Sequence, residues 1–392
     1  MFLNAIFVVN GIRIQSLQKM HQHQKHSNIA RKLNNNFAPN EVAILGTKCS
    51  TIRNLVYEIA KQLSQYNMAY FDASHAKDVA SNFLSEYTFH HDGNLQLHTR
   101  ATINPYEQRI QFYHHDFVFI NGNHYQGATQ IVILDSEKEA SIKKRMHQLT
   151  DIPFVIKRTN DAPFFDCLIE KFPQIKKIPC YGIEEVHAIT NHIKKLIDKR
   201  IAPVKGLVLT GGKSTRMGKD KSTLNYYGKP QKKYVQELLE TCSLETFLSV
   251  RENSTSLDTS KEITDTFLNL GPFGGICSAF QKNPNSAWLV IATDIPFVNK
   301  EIIELLLKHR DTSKVATTIK GKGKEFPEPL ITIYEPKAYG KLLQYLAQGY
   351  SCPRKMLINS AIKVIEVDNH FIRNINTPEE FEAASKEIQK RL

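Results

Sequence analysis

Short apolar runs alternate along this chain with longer stretches in which apolar residues recur every three or four positions, the pattern of strands and amphipathic helices taken in turn. The alternation is clearest in the second half. Val204–Leu209, Thr246–Val250, Ala287–Ala292, Lys314–Ile319, Pro329–Tyr334 and Ile362–Val367 predict strands; Gln231–Leu239, Lys300–His309 and Ala338–Leu346 predict helices. A last helix starts at Thr377-Pro378-Glu379-Glu380, where Thr377 caps, Pro378 takes the first-turn position and Glu380 completes a capping box. Such alternation implies an α/β fold with a doubly wound, mostly parallel sheet and helices on both faces.

The first half is α/β too, in a less regular way. Glu41–Leu45, Met68–Phe71, Phe117–Ile120, Gln130–Leu134 and Phe154–Ile156 predict strands. Leu55, Val56, Ile59, Ala60 and Leu63 form a helical stripe, and Ser141–Leu149 and Glu184–Ile197 predict further helices. The charged stretch Asp198–Ala202 before Pro203 marks a seam, and thirteen of the fifteen histidines precede it. At 392 residues the chain has room for two or three domains at ~150 residues each. The division expected is a disordered extension over 1–36, one domain over 37–200 and another over 203–392. Met20 opens a more hydrophilic start than Met1, so either methionine could begin the chain.

Composition narrows the function classes. The 51 Lys+Arg against 39 Asp+Glu leave a net charge of +12, spread evenly over both halves rather than gathered in an arm or stripe. That distribution argues against a nucleic-acid binder and suits anionic small substrates. No run approaches the ~18 apolar residues of a membrane span. The six cysteines form no CxxC pair, which points to a reduced, cytoplasmic chain. His21, His23 and His26 cluster in a polar tail, and the pairs His90-His91 and His114-His115, if in strands, would point to opposite faces and could not chelate.

The chemistry concentrates after Val204–Leu209, in Leu209-Thr210-Gly211-Gly212-Lys213-Ser214-Thr215-Arg216-Met217-Gly218-Lys219-Asp220-Lys221. Glycines there let backbone N–H groups approach a phosphate, and Arg216 and Lys221 add fixed positive charge. Asp294, at the carboxyl end of the apolar strand Ala287–Ala292, is placed as a Mg²⁺ ligand, since magnesium takes one or two carboxylates with phosphate oxygens and water.

The glycine-rich string resembles the LxGGxSxRMGxDK signature of nucleotidyltransferases with a Rossmann-like, doubly wound fold, and most of all that of the molybdenum cofactor guanylyltransferases. Asp265 with Gly271-Pro272-Phe273-Gly274-Gly275-Ile276, Thr293-Asp294-Ile295-Pro296-Phe297, Glu328-Pro329-Leu330 and Asn376-Thr377-Pro378-Glu379 resemble further segments of that family in order. The resemblance spans 203–392. It implies transfer of GMP from GTP to the terminal phosphate of molybdopterin, with release of pyrophosphate and with Mg²⁺. Arg216, Lys221 and Asp294 become the catalytic set, and Leu209, Thr210, Gly211, Gly212, Ser214, Lys221, Asp265 and Asp294 the nucleotide site. Glu328, Arg354 and Asn376 lie on the pterin substrate, with Ser351 and Lys355 nearby. Molybdoenzymes or their chaperones would receive the product.

Gly211-Gly212 and Asn376 favour guanine, because the sister cytidylyltransferases carry Ala-Gly and an aspartate there. Thr210 stands where the family usually has alanine, and Arg251 where asparagine often contacts nucleotide. The alternatives are a cytidylyltransferase, another small-molecule nucleotidyltransferase, or a non-catalytic cofactor carrier. In the first half, Leu45-Gly46-Thr47-Lys48-Cys49-Ser50-Thr51 occupies the position of a P-loop but lacks its Gly-Lys-Ser/Thr ending. With Asp116–Ile120 and Asn121-Gly122 it resembles a degenerate form of the P-loop adaptor protein of the same pathway, which usually has Glu-Gly in place of Asn121-Gly122.

Overall fold

The structure is a computed structural model that describes residues 8–9, 12–13, 29–74, 84–99, 104–210, 221–251 and 260–391. A short antiparallel pair, β1 (Val8–Val9) and β2 (Ile12–Arg13), comes first. The first α/β unit runs β3 (Glu41–Leu45), α1 (Cys49–Gln62), β4 (Met68–Phe71), β5 (Glu86–Phe89), β6 (Leu95–His98), α2 (Pro105–Phe112) and β7 (Phe117–Asn121). It continues through β8 (Gln130–Leu134), α3 (Glu139–Arg145), β9 (Val155–Lys157), α4 (Asp166–Lys171), β10 (Cys180–Gly182) and α5 (Val186–Asp198). Six strands make one sheet in the order β10-β9-β8-β3-β7-β4, parallel throughout. Every position of β3, β7 and β8 is buried, as strands covered on both faces require. Val42 and Ile44 pack with Ile52 and Ile59 of α1 and Ile189 and Ile193 of α5. Leu45 and Val132 pack on the opposite face with Ile142 of α3 and Leu168 of α4.

The second unit comprises β11 (Val204–Leu209), α6 (Gln231–Thr241), β12 (Thr246–Val250), β13 (Glu262–Thr264), α7 (Pro272–Lys282), β14 (Ala287–Ala292) and α8 (Lys300–Lys308). β15 (Ala316–Gly321), β16 (Glu328–Tyr334), α9 (Lys337–Ala347), α10 (Pro353–Ile358), β17 (Ile362–Val367) and α11 (Pro378–Gln389) complete it. Its seven strands lie in the order β13-β12-β11-β14-β16-β15-β17, with β16 antiparallel to both neighbours and the other pairs parallel. This is the mostly parallel, doubly wound sheet that the alternation predicted.

Several local expectations change. The strand expected at Lys314–Ile319 lies two residues later, because Lys314 closes a turn on the Asp311 carbonyl, 3.1 Å away. Gly271–Gly275, whose glycines and proline read as a loop, is a helix start: Gly271 at φ 57° is the N-cap of α7, and Pro272 to Gly275 form its first turn. The helix expected over Ser141–Leu149 ends at Arg145 and tightens into a 3₁₀ turn over Met146–Gln148. His90-His91 leads into the β5–β6 turn and His114-His115 follows α2, so neither pair is in a strand. Residues 31–36, expected in a disordered extension, are held in place. The Leu33 N–H donates to Asn285 Oδ1 at 2.7 Å, and the Asn36 N–H to Glu41 Oε1 at 3.1 Å. The histidines His21, His23 and His26 lie outside the described residues.

The two units meet back to back. Asn40, Asn67 and Asp116 precede β3, β4 and β7, while Pro203 and Asn285 precede β11 and β14, so the junction gathers the amino ends of both parallel sheets. The Tyr113 hydroxyl donates to the Pro336 carbonyl at 2.9 Å, and Lys337 pairs with Asp116. Gly340 permits this contact, since a β-carbon there would come 2.8 Å from the Tyr113 ring. The carboxyl edges of the two sheets, where α/β folds bind ligands, therefore lie at the ends away from this junction.

Candidate functional site

At the carboxyl edge of the second sheet, β11 and β14 lie side by side and end at Leu209 and Ala292. Asp294 follows two residues later. The Thr293 hydroxyl donates to the Leu209 carbonyl at 3.3 Å, and the Ile375 N–H donates to the Asp294 carbonyl at 2.8 Å, tying the segment before α11 to this edge. Lys221 reaches the same point, its ammonium 3.8 Å from Asp294 Oδ2 and donating to Asn376 Oδ1 at 2.6 Å. Three residues far apart in sequence thus converge because two strand ends and one helix entrance share an edge.

Asp294 is divided between two environments. Its side chain is 25% exposed, yet Oδ1 is fully buried and has no hydrogen-bond partner among the described residues. Burial lifts its carboxyl above the usual aspartate range, and the Lys221 ammonium opposes the shift. A buried carboxylate oxygen left unpaired is costly unless something satisfies it. A hard divalent cation that keeps waters and phosphate oxygens in its shell suits such a donor, and Asp294 is the residue that would hold it. No group of three or more His, Cys, Asp or Glu side chains converges on a metal position among the described residues. Glu328 opens the antiparallel β16 at the same edge. Burial raises it too, and its carboxylate is 3.3 Å from Arg354, which also donates to the Pro327 carbonyl at 3.2 Å.

Asp265 stands on the far side, beyond β13. It accepts from the Ser249 hydroxyl at 2.8 Å, and burial raises its carboxyl while that bond and Arg251 pull the other way. Three strand spacings of ~4.8 Å separate β13 from β14, about 14 Å, a span for an extended ligand rather than a single ion. The Thr210 hydroxyl donates to the Ser249 carbonyl at 2.5 Å and is thereby turned into the sheet. Gly275, in the first turn of α7, allows that helix to press onto the strand ends: a β-carbon would sit 2.7 Å from Ser249 Oγ and 2.8 Å from Leu209 Cδ2.

The structure thus brings Lys221, Asp294 and Asn376 together, sets Glu328 with Arg354 beside them, and places Leu209, Thr210 and Asp265 along the same edge. Lys355 turns aside, its ammonium 3.5 Å from the Tyr350 ring centroid. Gly211, Gly212, Ser214 and Arg216 lie outside the described residues. Sequence reading missed Ser249, which links Thr210 to Asp265; its signal was a hydroxyl at the penultimate position of the otherwise apolar end of β12.

Residues 206–363 match the MobA-like NTP transferase domain family. The chain is 38% identical over 183 residues to a molybdenum cofactor biosynthesis bifunctional protein of Synechocystis, an alignment covering 46% of this chain and 53% of that protein. This chain therefore spans about half the length of that relative. It is 27% identical over 195 residues to a molybdenum cofactor guanylyltransferase of Ectopseudomonas mendocina, covering 48% of this chain and 95% of the relative. Among solved structures, the molybdopterin-guanine dinucleotide biosynthesis protein A of Archaeoglobus fulgidus aligns with a TM-score of 0.41 and 25% identity, over 47% of this chain and 99% of that one. Residues 206–363, within the second half of this chain, are thus similar to MobA-like NTP transferase domains.

Proposed function

We propose that this protein transfers GMP from GTP to the terminal phosphate of molybdopterin, releasing pyrophosphate and forming molybdopterin guanine dinucleotide. The observation that carries the reading is the Asp294–Lys221–Asn376 convergence at the end of β11 and β14, beside the start of the glycine-rich segment. An edge built this way suits in-line displacement at the α-phosphorus, where positioning and charge stabilisation dominate and a phosphate nucleophile, already ionised, needs no general base. Lys221 holds phosphate charge, and Asn376 fixes the lysine's direction. Asp294 is the residue that would hold Mg²⁺, which when bound neutralises the phosphates flanking the reacting centre. Arg216, with Gly211, Gly212 and Ser214, completes the phosphate cradle in this reading. Glu328 and Arg354, a preformed ion pair, flank the pterin side.

Guanine remains the favoured base. The Thr210 hydroxyl, which departs from the family's alanine, is already bonded to Ser249 and does not need to meet the base. We read residues 37–200 as a degenerate relative of the P-loop adaptor. Supporting this is the loop after the central strand β3. Opposing nucleotide hydrolysis there, the loop lacks the Gly-Lys-Ser/Thr ending, and its Thr47 hydroxyl is taken up by Asp135 at 2.6 Å.

Pyrophosphate release with Mg²⁺ and molybdopterin, measured in parallel with GTP, CTP and ATP, tests the proposal. Release with GTP alone fits it. Release with CTP moves the protein to the cytidylyl branch, and cofactor binding without release under any nucleotide makes it a carrier.

A further inference from the structure

The junction between the two units encloses a cavity of about 580 Å³, lined from both sides and open to solvent. That volume is in the ~300–1,000 Å³ range of small-ligand sites, which favour such inter-unit positions. It lies at the amino ends of both sheets, opposite the edge that carries Asp294, so the substrates of that edge do not account for it.

Its charges are unbalanced. Lys32, Lys199, Arg200 and Lys337 line it against two carboxylates, Asp116 and Glu335. Both carboxylates are already engaged. Lys337 pairs with Asp116, and Arg310 grips Glu335 through two bonds of 2.7 and 2.8 Å. Lys32, Lys199 and Arg200 then have no carboxylate within salt-bridge distance among the described residues. Lys32 is held by one neutral acceptor, the Pro284 carbonyl at 3.1 Å. Burial pulls its ammonium down to about 8, and the charge of Glu335 opposes that shift only in part. Tyr66 and Tyr113 also line the cavity, and the Lys32 ammonium stands 5.9 Å from the Tyr113 ring centroid. The walls are fixed by the Tyr113–Pro336 bond and by Arg310, which also donates to the Ala202 carbonyl at 2.8 Å, so a ligand meets a preformed cavity.

We propose that this cavity binds a small organic phosphate bearing a flat ring, with Lys32 and Arg200 on the phosphate and Tyr66 and Tyr113 against the ring. The site is separate from the transferase edge, and its ligand contacts both units at once.

Phenyl phosphate is the probe, titrated calorimetrically into the full chain, with phenol as the uncharged control. The wild type binds phenyl phosphate and not phenol. Lys32→Met and Arg200→Met each weaken binding at least about tenfold, the scale of one charge-assisted hydrogen bond. Lys32→Arg, which keeps the charge, stays within about threefold, so loss in Lys32→Met through misfolding is distinguished from loss of the cation. Lys221→Met, at the opposite edge, binds as the wild type. Absence of heat from the wild type up to about 10 mM, equal binding by wild type and Lys32→Met, or loss confined to Lys221→Met overturns the proposal. None of these readouts depends on transferase activity, so the proposal fails or stands apart from the assignment of the reaction.

Discussion

At the scale of single residues, Asp294 and Thr210 make the sharpest predictions. Asp294→Asn keeps the size and removes the charge of the side chain whose buried oxygen lacks a partner. Turnover falls by about 10²–10³ in kcat while the fold persists, measured as pyrophosphate release beside a thermal melt. Thr210→Val removes the hydroxyl bonded to Ser249 without changing the shape at the start of the glycine-rich segment. It costs about 1 kcal/mol of stability in urea unfolding and leaves the preference for GTP over CTP unchanged. A changed preference would mean that the hydroxyl reads the base. Both sites were half legible in the sequence. A carboxylate at the end of an apolar strand announces itself, whereas the direction of a threonine hydroxyl depends on which strand lies beside it.

At the scale of elements, α11 shows a local signal surviving intact. The Thr377 hydroxyl accepts from the Glu380 N–H at 3.3 Å, and the Glu380 carboxylate accepts from the Thr377 N–H at 3.2 Å. Glu380 accepts from the Asn376 N–H at 2.6 Å as well, so the cap also orients the residue that receives Lys221. Glu380→Ala therefore lowers stability by about 1 kcal/mol and reduces turnover, since the Asn376 N–H loses its acceptor; turnover unchanged beside a lowered melting temperature would confine the cap to stability. Other elements hid. The β5–β6 hairpin pairs Tyr87 with Leu97 and Phe89 with Leu95 on one exposed face, a pattern that resembles a buried strand pair and gives no hint of exposure. α4 and α10 have six residues each, too few for a helical period to show. Gly271–Gly275 reads as a loop by composition, yet the proline at the first turn and the close approach to Ser249 turn those glycines into helix.

At the scale of the whole molecule, the back-to-back junction decides what can cooperate. Charged groups there sit where neither half alone would bury them, and Lys32 is the clearest case. The charge of Glu335 acts on its ammonium, which stands 5.9 Å from the Tyr113 ring centroid in a cavity that Lys337, His115 and Arg200 also line. A folded-state value of about 8, below the 10.5 of the free group, means that the charged form costs stability. The cost is full below about pH 8 and fades as pH rises toward 10.5. Relative to Lys32→Met, the wild type therefore gains stability between pH 7 and pH 10, on the order of a few kcal/mol. Urea unfolding of the pair across that range checks it; a constant difference would show that Lys32 is not desolvated.

The sequence by itself determined the strand–helix alternation and the cap of α11, because each is written in neighbouring residues or in a period that local backbone geometry imposes. Tertiary structure decided the rest. Which strands lie side by side set the partners of Thr210, Ser249 and Asp265, and the meeting of Lys221, Asp294 and Asn376 required three distant segments to end at one edge. The junction, its paired carboxylates and the buried Lys32 follow from how two finished surfaces dock. Such contacts join residues more than two hundred positions apart, as Tyr113 and Pro336 are, and no local pattern encodes them.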